Sequence, residues 1–219
     1  MPNWCVSSIE ICCESPEIAK GFQDKVYKLT ETPYVGNGFG RFWLGNIVGN
    51  GKLASDNLEE FSGIDYISKA PFNCRGCIED ICVSDNNVLL SVTSAWTPSV
   101  SMWNSFCEKF FPKDEFYIWY SAIEPGNDIY VTNNMEDVGT YYVDTRDGII
   151  SENMDSAELT ALLQKNLLNK NEEIQKEMEA EGKSFESLDD LIETFYDGTH
   201  PDANNVWISE WEYSDINEW

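Results

Sequence analysis

The stretch Trp4-Cys5-Val6-Ser7-Ser8-Ile9-Glu10-Ile11-Cys12-Cys13-Glu14-Ser15-Pro16 holds a whole strand-to-helix transition. Cys5, Ser7, Ile9 and Ile11 fall on one face of an extended chain and Val6, Ser8, Glu10 and Cys12 on the other, which predicts a strand over 4–13. Ser15 offers the oxygen of an N-cap, and Pro16 takes the first helical position, where its missing N–H is no loss. Ile18, Phe22, Val26 and Leu29 then recur at helical spacing before Pro33, the pattern of a helix with one buried stripe.

Outward from this unit the same alternation repeats. Cys77–Val83 and Val88–Trp96 read as strands around Ser84-Asp85-Asn86-Asn87, four turn formers, so a hairpin is expected. Ser99 caps a helix carrying Val100, Trp103, Phe106, Cys107, Phe110 and Phe111, closed by Pro112. Phe116–Ile123 is apolar on both alternating faces, as in a strand inside a sheet. Strand, helix, hairpin, helix, strand predicts an α+β fold with a ferredoxin-like βαββαβ antiparallel sheet. Asp128–Thr132 and Thr140–Thr145 are expected to extend that sheet. Residues 34–75 interrupt the pattern with Gly36, Gly38, Gly40, Gly45, Gly49 and Gly51 among Phe39, Phe42, Trp43 and Leu44, an ordered insertion with aromatic anchors.

The chain beyond residue 135 changes character. Residues 151–219 hold 18 acidic and 4 basic residues, a net of −14, against 21 and 10 in residues 1–150. Asp155 with Glu158 forms a capping box for a helix carrying Leu159, Leu163 and Leu167. Ser187 with Asp190 starts a second helix, and Val206–Tyr213 alternates as a terminal edge strand. The expected organisation is a core over 1–135 and, packed on it, an acidic, mainly helical extension over 136–219 with a hairpin, two helices and a last strand.

Composition narrows the function. A chain of 219 residues with 8 Trp, 10 Tyr and 11 Phe buries a sizeable core. A net charge of −25 repels nucleic acid and anionic membranes and favours cationic partners. No apolar run approaches a membrane span and the start is no signal peptide, and seven cysteines, an odd number, fit buried thiols in a reducing cytoplasm.

Two short segments add a kinship. Met1-Pro2-Asn3-Trp4-Cys5 before the alternating strand, and Ser94-Ala95-Trp96-Thr97-Pro98 before a helix, together resemble the YubB-type ferredoxin-like family of plasmid and phage proteins. Phe111-Pro112, the strand from Phe116 to Tyr120 and Glu124-Pro125-Gly126 follow in matching order, while Ser7 stands where the family usually carries asparagine. The resemblance implies a fold and a mobile-element origin. It brings no catalytic residue with it.

Candidate sites are few. Cys74-x-x-Cys77 with Cys82 has zinc spacing but lacks a fourth ligand, and buried thiols are the plainer reading. His200, the only histidine, sits in a loop-like Gly198-Thr199-His200-Pro201 with no partner tied to it by sequence. Trp4, Trp96 and Trp103 read as core packing residues, with the first two on central strands. No catalytic residue and no cofactor is expected. Glu172, Glu173, Glu177, Glu179, Glu181, Asp189 and Asp190 are the candidate partner contacts. Their spacing along a helix, at about 1.5 Å per residue, approaches the one phosphate charge per about 1.7 Å of duplex DNA. The expected function is therefore non-enzymatic: binding of a host or defence protein with a basic surface, as a nucleic-acid mimic or anti-defence, anti-CRISPR-like inhibitor. The alternatives are an accessory interaction module and a small zinc-binding protein.

Overall fold

The first strand is β1 (Trp4–Cys13), with Cys5, Ser7, Ile9, Ile11 and Cys13 buried and Trp4, Val6 and Ser8 exposed. It belongs to a computed structural model that describes residues 3–36, 39–53, 61–145, 151–162 and 206–219. Helix α1 (Pro16–Thr30) follows, its Ile18 N–H donating to Ser15 Oγ at 3.4 Å and its Ala19, Phe22, Val26 and Thr30 buried. Strands β2 (Gly76–Ser84) and β3 (Asn87–Ala95) form a hairpin whose turn is only Asp85-Asn86, tighter than the four turn formers suggest. Asp85 accommodates the turn with a left-handed φ of 52°. Then come α4 (Val100–Phe110) and β4 (Phe116–Glu124), with α2 (Leu44–Gly51) and α3 (Ile64–Ser68) inside the insertion.

The architecture is mixed α+β. β1 lies between β3 and β4, antiparallel to both, and the six-stranded sheet runs β2-β3-β1-β4-β5-β9, with β5 (Ile129–Thr132) and β9 (Glu212–Tyr213) at one edge. Phe22 of α1 sits 4.8 Å from Phe106 and 5.9 Å from Trp103 of α4, so both helices cover one face of the sheet. That face carries Cys5, Ile9, Ile11, Val88, Leu90, Val92, Ile118, Tyr120 and Ala122, all buried in one apolar core. The opposite face is open over much of its area. Gly76 is required where β2 meets β3, since a Cβ there would lie 2.0 Å from the Thr93 carbonyl oxygen.

Three expectations are corrected. Thr140–Thr145 does not extend the first sheet: β6 (Tyr141–Thr145) lies between β7 (Ser151–Met154) and β8 (Val206–Glu210) in a sheet of its own. The single terminal strand is two. The ladder breaks at Trp211, which is buried, exchanges backbone bonds with Gly139 and Thr140, and donates its indole N–H to Asn153 Oδ1 at 2.8 Å. The last seven residues do not belong with the extension. The compact units are Met1–Met135 with Tyr213–Trp219, and Glu136–Glu212. The C-terminal segment is held in the first unit by Ser214 N–H on the Thr132 oxygen at 3.0 Å and by Tyr120 Oη donating to the Ser214 oxygen, also at 3.0 Å.

The acidic extension begins as its capping box predicts. The Ala157 and Glu158 N–H groups donate to Asp155 Oδ1 at 2.8 Å, Asp155 N–H donates to Glu158 Oε2 at 3.2 Å, and Leu159 is buried. The chain is helical from 156 to 162. The expected continuation of that helix through Leu163 and Leu167, and the second helix expected from Ser187, fall outside the described residues.

Candidate functional site

Strand register gathers the two tryptophan segments. Trp4 pairs with Ala95 and Val6 with Ile123, so Asn3-Trp4-Cys5, the end of β3 and the end of β4 meet at one end of the sheet. Trp96 N–H donates to the Asn3 oxygen at 2.9 Å, and Ser94 Oγ donates to the Thr97 oxygen at 2.7 Å. Asn73 Nδ2 donates to the Ala95 and Thr97 oxygens, both at 2.8 Å. These bonds hold Trp96 at a φ of 73°, left-handed backbone that a bulky side chain seldom adopts.

Trp4 and Trp96 are not core residues. Trp4 is 55% exposed and Trp96 44%, whereas Trp103 is fully buried. The strand period of two explains Trp4, which shares its face with Val6 and Ser8, opposite the helices. Trp96 has already left the ladder.

Beside Trp4 opens a cleft of about 540 Å³, lined mainly by Trp4, Phe39, Trp43, Ile67, Phe72 and Cys74. Its far wall is the insertion, and three contacts fix that wall. Trp43 makes a bridge to Cys77, Ile78 N–H donates to the Phe42 oxygen at 3.0 Å, and Phe39 stacks on Trp43 at 4.3 Å. The buried Asn46 ties the insertion to itself: its Oδ1 accepts from Tyr34 N–H at 2.9 Å, and its Nδ2 donates to the Gly40 and Arg41 oxygens at 3.0 and 2.9 Å. Asn46→Ala orphans all three backbone groups, so it is expected to cost about 2–3 kcal/mol, read from urea unfolding midpoints. A cost below about 0.5 kcal/mol, the range of ordinary surface changes, would show that Asn46 does not hold the wall.

Cys74 and Cys77 both line the cleft, but Cys82 is exposed farther along β2. Among the described residues no three His, Cys, Asp or Glu side chains gather as a metal site. Burial pushes the Cys74 thiol up to about 11. Burial, then the Glu79 carboxylate, raises Cys77. Cys5 is pushed up to about 12 by burial, with Glu124 adding to the rise and Ser7 opposing it. Such thiols stay protonated at neutral pH, which makes them poor nucleophiles. The cleft is thus mainly apolar and aromatic, with Ser68, Asn73 and Arg75 as polar residues of its lining. That chemistry suits binding.

His200 and the carboxylates Glu172, Glu173, Glu177, Glu179, Glu181, Asp189 and Asp190 lie outside the described residues. Comparison with family models, with curated proteins and with solved structures gives no match. Sequence reasoning passed over Asn46, Asn73 and Arg75. Their signal was weak: isolated polar residues in a stretch without period, with Asn46 and Asn73 bonded mainly to backbone groups up to 24 residues away.

Proposed function

We propose that the protein acts by binding: a cytoplasmic protein of a phage or plasmid that occupies a basic surface of a host or defence protein. It does so as a nucleic-acid mimic or an anti-defence, anti-CRISPR-like inhibitor. The observation that carries this reading is the net charge of −25, in which 39 acidic residues face 14 basic ones. Such a field attracts basic surfaces and repels nucleic acid. The antiparallel order β2-β3-β1-β4 supports a ferredoxin-like core, and the resemblance of the tryptophan segments supports the mobile-element origin. No helix among the described residues is long and apolar enough to cross a membrane.

The test is capture of partners by the tagged full chain from its host at low and at high salt, followed by association kinetics with the captured protein. Exchanging Glu172, Glu173, Glu177, Glu179, Glu181, Asp189 and Asp190 for lysine is expected to slow association by about 10- to 1,000-fold and to flatten its salt dependence. Unchanged kinetics would sink the acidic-surface reading. A second reading, an accessory module that binds through the cleft, is favoured by the exposure of Trp4 and Phe39 at its mouth. Binding of that kind would show little salt dependence.

A further inference from the structure

The open face of the sheet has a composition of its own. No lysine or arginine occurs anywhere in β1, β2, β3 or β4. Large apolar side chains stand exposed on it: Trp4, Val6, Leu89 and Tyr117, each 44–55% accessible. Trp119 joins them half-buried, its ring edge-on to Tyr117 at 4.4 Å. Register interleaves carboxylates with these groups. Glu10 pairs with Leu89 on one side and Trp119 on the other, and Asp80 pairs with Ser91. Glu79 Oε1 accepts from Thr93 Oγ1 at 2.6 Å, and Glu10 Oε1 from Asn87 Nδ2, also at 2.6 Å, so both point along this face. None of the three carboxylates has a cation within ion-pair distance among the described residues.

Bare aromatic rings on a sheet would suit nucleic-acid bases, but that use needs cations for the phosphates, and the charged residues within these four strands are all carboxylates. Rings beside unpaired carboxylates fit a planar cation, which lays its face on the π-system and donates its N–H groups to the acid. We infer that this face is a docking surface for an arginine-bearing segment of a protein partner, with Tyr117 and Trp119 as stacking groups and Glu10, Glu79 and Asp80 as acceptors. The inference rests on the proposed basic partner and places a contact on the folded core, apart from the acidic extension.

The test uses the full-length protein and a short peptide of alternating arginine and leucine, beside a single-stranded oligothymidine of similar length. Leu89→Lys with Tyr117→Lys puts two cations on the face. Thr32→Lys with Met135→Lys makes the same charge change at exposed positions off it. The face pair is expected to weaken peptide binding by about 10- to 100-fold. The control pair should change it by less than about twofold, and Tyr117→Phe, which keeps the ring, should bind as the parent does. Amide shifts on adding peptide should map to β1, β2 and β4.

Equal losses in the two lysine pairs would mean that net charge alone drives binding, and would overturn the inference. So would oligothymidine binding by the parent protein that shifts the amides of these strands, or self-association that the face pair abolishes, since the face would then serve nucleic acid or a second copy. If the face pair binds peptide as the parent does while the reversed acidic set does not, capture by the extension stands and this inference falls. If the parent protein ignores the peptide at physiological salt, this inference falls, and the acidic-surface reading is decided by its own kinetics with the captured partner.

Discussion

Trp103→Ala is expected to destabilise the protein by about 4 kcal/mol, a large share of the 5–15 kcal/mol typical of a whole domain. The indole is fully buried and lies 5.9 Å from the ring of Phe22 and 5.8 Å from that of Phe106, at the junction of α1 and α4. Both helices lose packing at once when it goes, and the sheet below offers nothing to refill the space. A loss of this size should lower the melting temperature by roughly 8–16 °C. The companion change is more telling. Trp103 Nε1 is buried and finds no hydrogen-bond acceptor among the described residues, and an orphaned buried donor costs about 1–3 kcal/mol. Trp103→Phe removes that penalty while keeping most of the ring, so it is expected to cost less than about 1.5 kcal/mol. Trp4→Ala, at a side chain that is 55% exposed, should move stability little. If Trp4→Ala cost as much as Trp103→Ala, the assignment of the covered face would be wrong.

That contrast shows what the residues disclose before folding. The alternation from Trp4 to Cys13, the Ser15 cap and the apolar stripe of α4 are local signals, and the strand and both helices follow from them. The parity of Trp4 with Val6 and Ser8 already puts it on the wetter side, yet the bulk of an indole argues for the core. Which face is covered depends on where α1 and α4 land, and that is not local. The second sheet was illegible for the same reason: β6 pairs with β8 across some sixty intervening positions, and nothing in either strand names the other. The cleft depends on backbone oxygens meeting Asn46 and Asn73, groups that every residue carries and no sequence pattern marks. The open face lay in view as the absence of lysine and arginine from four strands. Its meaning needed the register.

Rising pH is expected to destabilise the protein progressively above about pH 9, where the thiols of the unfolded chain begin to ionise. Cys5, Cys13, Cys74 and Cys107 are all buried in the apolar core. Burial raises each above the ordinary value of 9.0: Cys13 and Cys74 to about 11, Cys5 to about 12, and Cys107 upward as well. Tyr120, buried and bonded to the Ser214 oxygen, rises from 10.0 to about 12. A raised folded value means that the native state keeps protons the unfolded chain releases. The stability these groups share in is therefore intact below about pH 9 and falls as pH climbs toward their folded values. All four thiols are raised, so each adds to the slope in the same direction and stability falls as pH rises through this range. Urea midpoints measured across this range should fall steeply. Cys74→Ala, which removes one titrating group, should flatten the slope even though it lowers stability at neutral pH. Thiolate absorbance should appear together with unfolding and not ahead of it. Thiolates forming in a still-folded protein would mean that the cysteines are open to solvent, and the cleft would then have a nucleophile after all.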